Sequence, residues 1–227
     1  MSQSDKRVAI ITGAAGGVGQ STVKKFAENG YVVIGTDIRL PDGLFEHDCV
    51  SYRTCDVTSE TDWQALAEAT VSEHGKLDVL VNNAAWNIGI PFRRLDDLTA
   101  DIWDRVMETN LRAPFLLARA AAKLLKAGDG GHIVNISSAG GISPGSSSIA
   151  YSSSKAGLNH LTRCLAVAMS PEVAVNCIAP GLVENTRMAA RLPDNVAEGA
   201  RQTAVLGRVG QAEDIANQTL AFVQSTS

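Results

Sequence analysis

Apolar residues along this chain fall into short unbroken runs and into longer stretches where they recur every three or four positions. The short runs predict buried strands, and the longer stretches predict helices with one apolar face. The strands are predicted at 8–12, 32–36, 50–55, 77–82, 132–136 and 174–178. The helices are predicted at 18–29, 60–74, 99–111, 113–127, 151–169 and 212–223. Because strand and helix alternate throughout, the pattern favours right-handed βαβ units and a parallel sheet, an α/β fold.

The first predicted strand leads directly into a glycine-rich turn, Thr12-Gly13-Ala-Ala-Gly-Gly17-Val18-Gly19, and then into a helix that stops near Gly30. Glycines in a strand-to-helix turn allow a tight bend and a close approach of the backbone to a ligand. The N-terminus of the following helix offers N–H donors to a pyrophosphate. The turn therefore predicts a dinucleotide site on a doubly wound, Rossmann-like sheet with helices on both faces. No linker or repeat divides the chain, so residues 1–227 are predicted to form a single domain.

Asp37 ends the second predicted strand, eighteen residues after Gly19. A carboxylate at this position accepts hydrogen bonds from the adenine ribose diol and repels a 2′-phosphate. The glycine turn itself contains no arginine or lysine. These observations favour NAD over NADP as the cofactor, while the nearby Arg39 keeps NADP open as an alternative.

Tyr151 and Lys155 stand four residues apart at the head of a predicted helix, and Ser138 precedes the tyrosine by thirteen residues. Positions i and i+4 share a helix face, so the Lys155 ammonium is expected to stabilise a Tyr151 phenolate. A free tyrosine has a pKa of about 10 and is a poor base near neutrality, so such a lowering would suit acid–base chemistry. The pair alone is a weak signal, and a solvated helix face is the ordinary alternative.

Taken together, the glycine turn, the Asn82-Asn83-Ala84 segment, Ser138 and the Tyr151/Lys155 pair resemble the short-chain dehydrogenase/reductases of the compact, single-domain type. The resemblance covers nearly the whole chain. It implies hydride transfer between the cofactor and a small-molecule alcohol or ketone. Tyr151 is then the general acid/base, and Ser138, rather than its neighbour Ser137, binds the substrate oxygen.

The resemblance also implies further site residues by position. Asp56 and Val57, after the third strand, are expected to hold the adenine ring. Asn83 and Ala84 are expected to close the fourth strand beside the cofactor. Pro180 and Gly181 are expected beside the nicotinamide, with Thr186 at its amide. Lys155 is expected to hold the nicotinamide ribose as well, and Asn110 a water that links this lysine to solvent.

Three departures from the family pattern matter. Ala85 replaces a common glycine and is followed by the bulky Trp86, which is expected close to the substrate. Thr186 is displaced by one residue relative to Pro180 and Gly181. Family members also usually continue for a couple of dozen residues into a final strand, whereas this sequence ends at Ser227, so we expect a sheet without that strand.

Composition narrows the class of protein further. The chain has 45% apolar and 19% charged residues and a net charge of −4, which suits a globular protein and argues against nucleic acid and anionic membranes as partners. The four cysteines, at 49, 55, 164 and 177, show no metal-ligand spacing. We therefore expect reduced thiols, no metal site and a cytoplasmic location. Since the residues before the first strand are few and polar, we expect no signal peptide.

Two alternatives to an NAD-dependent dehydrogenase remain open at this point. One is an NADP-dependent 3-oxoacyl-type carbonyl reductase, and the other is a non-catalytic NAD-binding subunit. The segment 182–206 is expected to cap the substrate, and its mixture of Arg187, Met188, Arg191 and Leu192 identifies no particular substrate. The resemblance also implies a homodimer or homotetramer, built in part on the helices near 99–127.

Overall fold

The computed structural model describes residues 6–128, 130–144, 147–187, 189–191 and 194–225. Met188 and Leu192 of the predicted capping segment lie outside this set. Six strands form one parallel sheet in the order β3-β2-β1-β4-β5-β6, the order of a dinucleotide-binding sheet with two wound halves. The strands are β1 (Val8–Thr12), β2 (Val32–Asp37), β3 (Val50–Thr54), β4 (Val79–Asn82), β5 (Gly131–Ile136) and β6 (Val173–Ile178). The predicted α/β fold and its six strands are confirmed, with bounds that differ by at most two residues.

Helices cover both faces of this sheet. Helices α1 and α7 pack together over one face, and α2, α4 and α5 cover the other. The helices are α1 (Gly17–Glu28), α2 (Glu60–His74), α3 (Ala100–Met107), α4 (Ala113–Lys126), α5 (Ile149–Met169), α6 (Asp194–Thr203) and α7 (Ala212–Ser225). Among the described helices, none has the length and apolar character needed to cross a membrane.

Strand β1 shows how the sequence builds two cores. Val8 and Ile10 point into the layer under α2, α4 and α5, whereas Ala9 and Ile11 point into the layer under α1 and α7. All five residues of β1 are buried, because alternate side chains of a central parallel strand meet helices on opposite faces. The continuous apolar run in the sequence is explained by this double burial.

The structure differs from the predicted elements in three places. The predicted helices 99–111 and 113–127 are joined by a π-helical turn, Glu108–Arg112, so the chain does not leave helical geometry between α3 and α4. Helix α6 was not predicted, because its sequence is polar on average and the segment 182–206 was interpreted as a cap over the substrate. Helix α5 also begins two residues earlier than predicted, since the Ser148 hydroxyl accepts a hydrogen bond from Tyr151 N and caps the helix.

The carboxyl ends of β1, β2, β4 and β5 lie at one edge of the sheet. The glycine turn follows β1, Asp37 ends β2, Asn83 follows β4, and Ser138 follows β5. The sheet order reverses between β1 and β4, and clefts of doubly wound sheets form at such a point. The fold thus brings the sequence-predicted groups to the edge where ligands bind.

Candidate active site

The glycine turn is packed so closely that side chains cannot replace two of its glycines. Gly13 has a φ of 65°, and a Cβ built there would lie 2.8 Å from Ala84 Cα. A Cβ on Gly19 would lie 2.1 Å from the Gly13 carbonyl oxygen. Real carbon–oxygen contacts never approach this distance, so both positions require glycine. The turn is therefore a tight backbone cradle ahead of the N-terminus of α1, where Gly17, Val18 and Gly19 form the first helical turn.

The end of β4 is fastened to this turn by side chains. The Thr12 hydroxyl donates to the Val81 carbonyl and accepts from the backbone N–H groups of Asn83 and Ala84, at 3.0 Å each. The Asn83 amide donates in return to the carbonyls of Thr12 and Gly13, at 2.9 and 3.1 Å. Thr12, for which the sequence predicted no role, thus holds the two central strands in register at the site.

Asp37 faces the same turn from the end of β2. Its Oδ2 accepts a hydrogen bond of 3.1 Å from Ala15 N. The carboxylate is partly exposed and is fixed at the side of the turn that leads to β2. This placement agrees with the predicted position beside an adenine ribose.

Asp56 and Val57 follow β3 and differ in exposure. Val57 is buried in the core, and its carbonyl accepts from the Trp63 indole N–H at 3.2 Å. Asp56 is exposed, and one of its carboxylate oxygens accepts from both the N–H and the hydroxyl of Thr58. The two residues are thereby fixed at the end of β3, while their contact with an adenine ring stays a prediction.

Tyr151 and Lys155 lie on the first two turns of α5, and both side chains are buried. The Lys155 ammonium donates a 2.8 Å hydrogen bond to the Ile136 carbonyl at the end of β5. Its Nζ lies 5.7 Å from the centre of the Tyr151 ring. The predicted i, i+4 pairing is therefore present, with the lysine anchored to the sheet behind the tyrosine.

Burial shifts the pKa values of both Tyr151 and Lys155. Burial raises the pKa of Tyr151 above its ordinary value, and only the hydrogen bond with Ser138 opposes the rise. Burial lowers the pKa of Lys155 to about 8, with the neighbouring Cys177 acting in the opposite direction. Desolvation therefore dominates at Tyr151 in the protein without its cofactor, and the predicted lowering of the tyrosine pKa by Lys155 stays a prediction.

The structure distinguishes the two candidate serines. The Ser138 side chain is hydrogen-bonded to the Tyr151 phenol and accepts from Gly140 N at 3.1 Å. Ser137 is buried instead, and its hydroxyl donates to the Lys155 carbonyl at 3.1 Å. Successive strand residues point to opposite faces, so only Ser138 can share the cleft with Tyr151.

Asn110 occupies the π-helical turn and is fully buried. Its side chain accepts from Trp86 N at 2.8 Å and donates to the Trp86 carbonyl at 3.0 Å and to Ser154 Oγ at 3.2 Å. Asn110 therefore fixes the backbone of Trp86, a role that the sequence did not indicate. Its predicted contact with a water beside Lys155 stays a prediction.

The loop after β6 reaches two parts of the site. The Pro180 carbonyl accepts from Ala139 N at 2.7 Å, which ties this loop to the segment of Ser138, and Gly181 is exposed beside it. The Thr186 hydroxyl donates to the Val183 carbonyl at 2.9 Å, and the Thr186 methyl would lie 3.6 Å from a Cβ on Gly17. Thr186 thus lies against the glycine turn, and its predicted contact with the nicotinamide amide is untested.

Sequence reasoning missed one basic residue at the turn. Arg187 Nη2 donates to the Ala15 carbonyl at 3.3 Å, although the two residues are 172 positions apart. No sequence signal joins two segments so distant along the chain, so a cation from outside the turn could not be predicted.

Comparison with known proteins agrees with this geometry. The family model for short-chain dehydrogenases matches residues 7–197. The cis-4-hydroxycyclohexanecarboxylate dehydrogenase of Sinomonas cyclohexanicum is 36% identical, over 97% of this chain and 90% of its own length. The 3-oxoacyl-[acyl-carrier-protein] reductase of Thermotoga maritima is 33% identical, over 96% and 90%.

A solved structure from Burkholderia xenovorans, assigned to the short-chain dehydrogenase/reductases, superposes with a TM-score of 0.86 at 27% identity. It covers 97% of this chain and 92% of its own. The ligand-free aldohexose dehydrogenase of Thermoplasma acidophilum has the same fold, with a TM-score of 0.83. The chain therefore belongs to the short-chain dehydrogenase/reductase family, whose members use NAD or NADP, and is an oxidoreductase that acts on CH–OH groups.

Proposed function

We propose that this protein transfers a hydride between NAD(H) and a secondary alcohol or ketone, with Tyr151 as general acid/base. The observation that carries the proposal is the cluster of Ser138, Tyr151 and Lys155 at the same edge of the sheet as the glycine turn. A phenol hydrogen-bonded to a serine, with a buried ammonium behind it, is suited to moving a proton at one substrate oxygen. All three side chains are retained, which argues against a non-catalytic subunit.

The residues of the cleft fit a nicotinamide dinucleotide. Gly13 and Gly19 leave room only for backbone, and the start of α1 directs N–H groups toward a pyrophosphate. When bound, the oxidised cofactor supplies the hydride acceptor. The protein residues then handle the proton, since Tyr151 takes it from the substrate hydroxyl during oxidation and returns it during reduction, while Ser138 holds the substrate oxygen.

Lys155 has a defined task in this scheme. Its pKa of about 8 keeps most of the side chain charged at neutral pH. Burial raises the pKa of Tyr151, so a second positive charge is needed to favour the phenolate, and oxidised nicotinamide carries one. We therefore assign the lowering of the tyrosine pKa to the combined charges of Lys155 and the oxidised cofactor.

NAD is the proposed cofactor because of Asp37. Its carboxylate is held by Ala15 N at the end of β2, where it would accept from the adenine ribose and repel a 2′-phosphate. The alternative, an NADP-dependent 3-oxoacyl-type reductase, has support from the Thermotoga maritima relative but not from this carboxylate. We further propose a cytoplasmic homo-oligomer, either a dimer or a tetramer.

The substrate is expected to meet Trp86. This side chain packs near Tyr151, and the Arg105 guanidinium lies 4.4 Å above its ring centre. An aromatic ring with a cation beside it accommodates an apolar or cyclic body with a polar substituent. The relatives include dehydrogenases of a hydroxycyclohexanecarboxylate and a 3α-hydroxysteroid, so cyclic secondary alcohols belong in the first screen.

The test is a panel of secondary alcohols, polyols, cyclic alcohols and ketones assayed with NAD(H) and NADP(H). We expect turnover with NAD(H) and a higher kcat/KM than with NADP(H). The Asp37→Ala variant should narrow this difference, because it removes the repulsion of a 2′-phosphate. Equal kcat/KM values for both cofactors in the unaltered protein would refute the NAD assignment, and absence of turnover across the panel would count against the substrate class.

A further inference from the structure

Three consecutive residues of the loop after β6 run along the glycine turn. A Cβ on Gly17 would lie 3.1 Å from the Asn185 carbonyl oxygen and 3.6 Å from the Thr186 methyl. One residue further, Arg187 Nη2 donates to the Ala15 carbonyl at 3.3 Å. The loop thus lies directly over the turn where α1 begins, and its side chains can reach whatever binds there.

This placement does not depend on the contact between Arg187 and Ala15. Asn185 adopts a left-handed conformation with a φ of 57°. The Thr186 hydroxyl donates to the Val183 carbonyl and accepts from Ala189 N, so the loop is fixed by its own hydrogen bonds. Val183 forms a further bridge with Gly210. Arg187 therefore extends from a loop that its own hydrogen bonds and the bridge of Val183 hold in place.

The charge of Arg187 is not matched by the protein. Among the described residues, no carboxylate lies within ion-pair distance of Arg187, and its side chain is exposed. The guanidinium has five N–H donors, and its single 3.3 Å bond leaves the others available. Asp37 lies on the other side of the same residue, since it accepts from Ala15 N. The Asp37 carboxylate thus contacts the backbone N–H of Ala15, and the Arg187 guanidinium contacts the carbonyl of the same residue.

A pyrophosphate at this turn would be bound more tightly if a cation joined the backbone donors. The helix dipole supplies about half an elementary charge, whereas a dinucleotide pyrophosphate carries two negative charges. The turn has no cation of its own. Arginine binds phosphate oxygens through paired, charge-assisted hydrogen bonds, and such bonds are about twice as strong as neutral ones.

We propose that Arg187 binds the pyrophosphate of the dinucleotide cofactor and so holds the loop of Asn185, Thr186 and Arg187 against the glycine turn when the cofactor is bound. The loop after β6 then supplies a positive charge that the glycine turn itself does not contain. The proposal rests on the proposed function only in requiring that a nicotinamide dinucleotide binds at this turn.

The test measures binding by calorimetry, without turnover, for NAD, NADP, ADP-ribose and adenosine. Arg187→Gln should weaken NAD and ADP-ribose by about tenfold or more. Adenosine has no phosphate, so its affinity should not change. Arg187→Lys should keep part of the affinity, since it retains the charge but loses the paired geometry. Arg163→Gln is the matched control, because this arginine is exposed on α5 and has no place in the proposed site, and it should leave ADP-ribose binding unchanged.

Each outcome separates this inference from the proposed function. Unchanged ADP-ribose binding by Arg187→Gln, in a protein that still oxidises its substrate with NAD, would overturn the inference alone. A loss confined to NADP would place Arg187 at the 2′-phosphate and overturn the pyrophosphate assignment. An equal loss of adenosine binding would show a structural role instead. If the unaltered protein bound neither dinucleotide, both proposals would fall.

Discussion

Tyr151 combines deep burial with a proposed need for negative charge. Burial raises the pKa of the phenol, whereas a general base at neutral pH needs that pKa near 7. The residue is useful as a base only when positive charge compensates for the lost solvation. Lys155, buried behind it and bonded to Ile136, provides a fixed part of that charge.

The first prediction tests this residue directly. Tyr151→Phe removes one oxygen and keeps the buried ring, so the variant should fold and bind NAD with unchanged affinity. Its kcat should fall by at least a factor of ten, equivalent to about 1.4 kcal/mol of transition-state stabilisation. Steady-state kinetics measures the loss of kcat, and calorimetry measures the affinity for NAD. A variant that keeps more than a tenth of the activity would exclude Tyr151 as the acid/base.

The sequence predicted which residues form the site better than it predicted their pKa values. Spacing and resemblance selected Ser138 over Ser137, and the structure places Ser138 on Tyr151. The direction of the tyrosine pKa shift was not predictable, because burial is a property of the packed core. Arg187 was missed for a related reason, since its contact with Ala15 joins the two ends of the chain.

The elements were predictable wherever hydrophobic periodicity was strong. The six strands appear because each is a short apolar run that two helical layers bury, as β1 shows. Helix α6 has no such signal, and its place is secured by polar contacts, including the ion pair of Arg201 with Glu184 at 2.7 Å. The π-helical turn around Asn110 was not predicted either, since the sequence pattern there was interpreted as two separate helices rather than as one extra residue in a continuous helical path.

The second prediction concerns the glycine turn as an element. Gly19→Ala forces a methyl group to within 2.1 Å of the Gly13 carbonyl, so the turn must open. We expect at least a tenfold loss of NAD affinity and a lower melting temperature. Gly16→Ala is the matched control in the same turn, because its Cβ would lie 3.4 Å from the same carbonyl, an ordinary contact. Equal affinities for the two variants would contradict the close packing described above.

On the scale of the whole molecule, a buried histidine makes the stability of the fold depend on pH. His132 is buried on β5, where burial first and Arg7 second lower its pKa from 6.5 to about 4, while Asp78 opposes them. The folded protein therefore binds this proton less readily than the unfolded chain. Stability from the neutral ring is complete above about pH 6.5 and is lost as the pH falls toward 4.

The third prediction follows from that sign. The free energy of unfolding should decline between pH 6.5 and 4 with a slope of at most about 1.4 kcal/mol per pH unit, the limit for one proton. Asp214, whose pKa the Arg208 side chain lowers to about 2, loses its contribution only at more acidic pH. Urea titrations at several pH values give the slope, and His132→Gln should flatten it. An unchanged slope in this variant would assign the acid sensitivity to other groups.

The last prediction concerns assembly, which the sequence resemblance places on the helices near 99–127. Small and apolar residues occur on several faces of α4, and burial within one chain already accounts for Ala118 and Ala121. Phe115 is different, because 42% of its surface is exposed, and Trp103 on the neighbouring α3 is 36% exposed. Large exposed apolar side chains on adjacent helices are suited to pairing with a second copy. We expect at least a dimer at micromolar concentration, with a mass of at least twice 23.9 kDa by light scattering.

A charge on the surface formed by α3 and α4 should prevent two copies of the protein from associating. Phe115→Glu would bury an unpaired carboxylate in a two-fold interface, where each copy repeats the cost, so the variant should become monomeric. Leu95→Glu is the control, because Leu95 is exposed at 63% and lies outside the two helices. A monomeric unaltered protein would refute the expected assembly altogether. A dimer that survives Phe115→Glu would instead move the interface away from α4, for example to α7 and the open edge of β6, where strand pairing between copies could join two sheets.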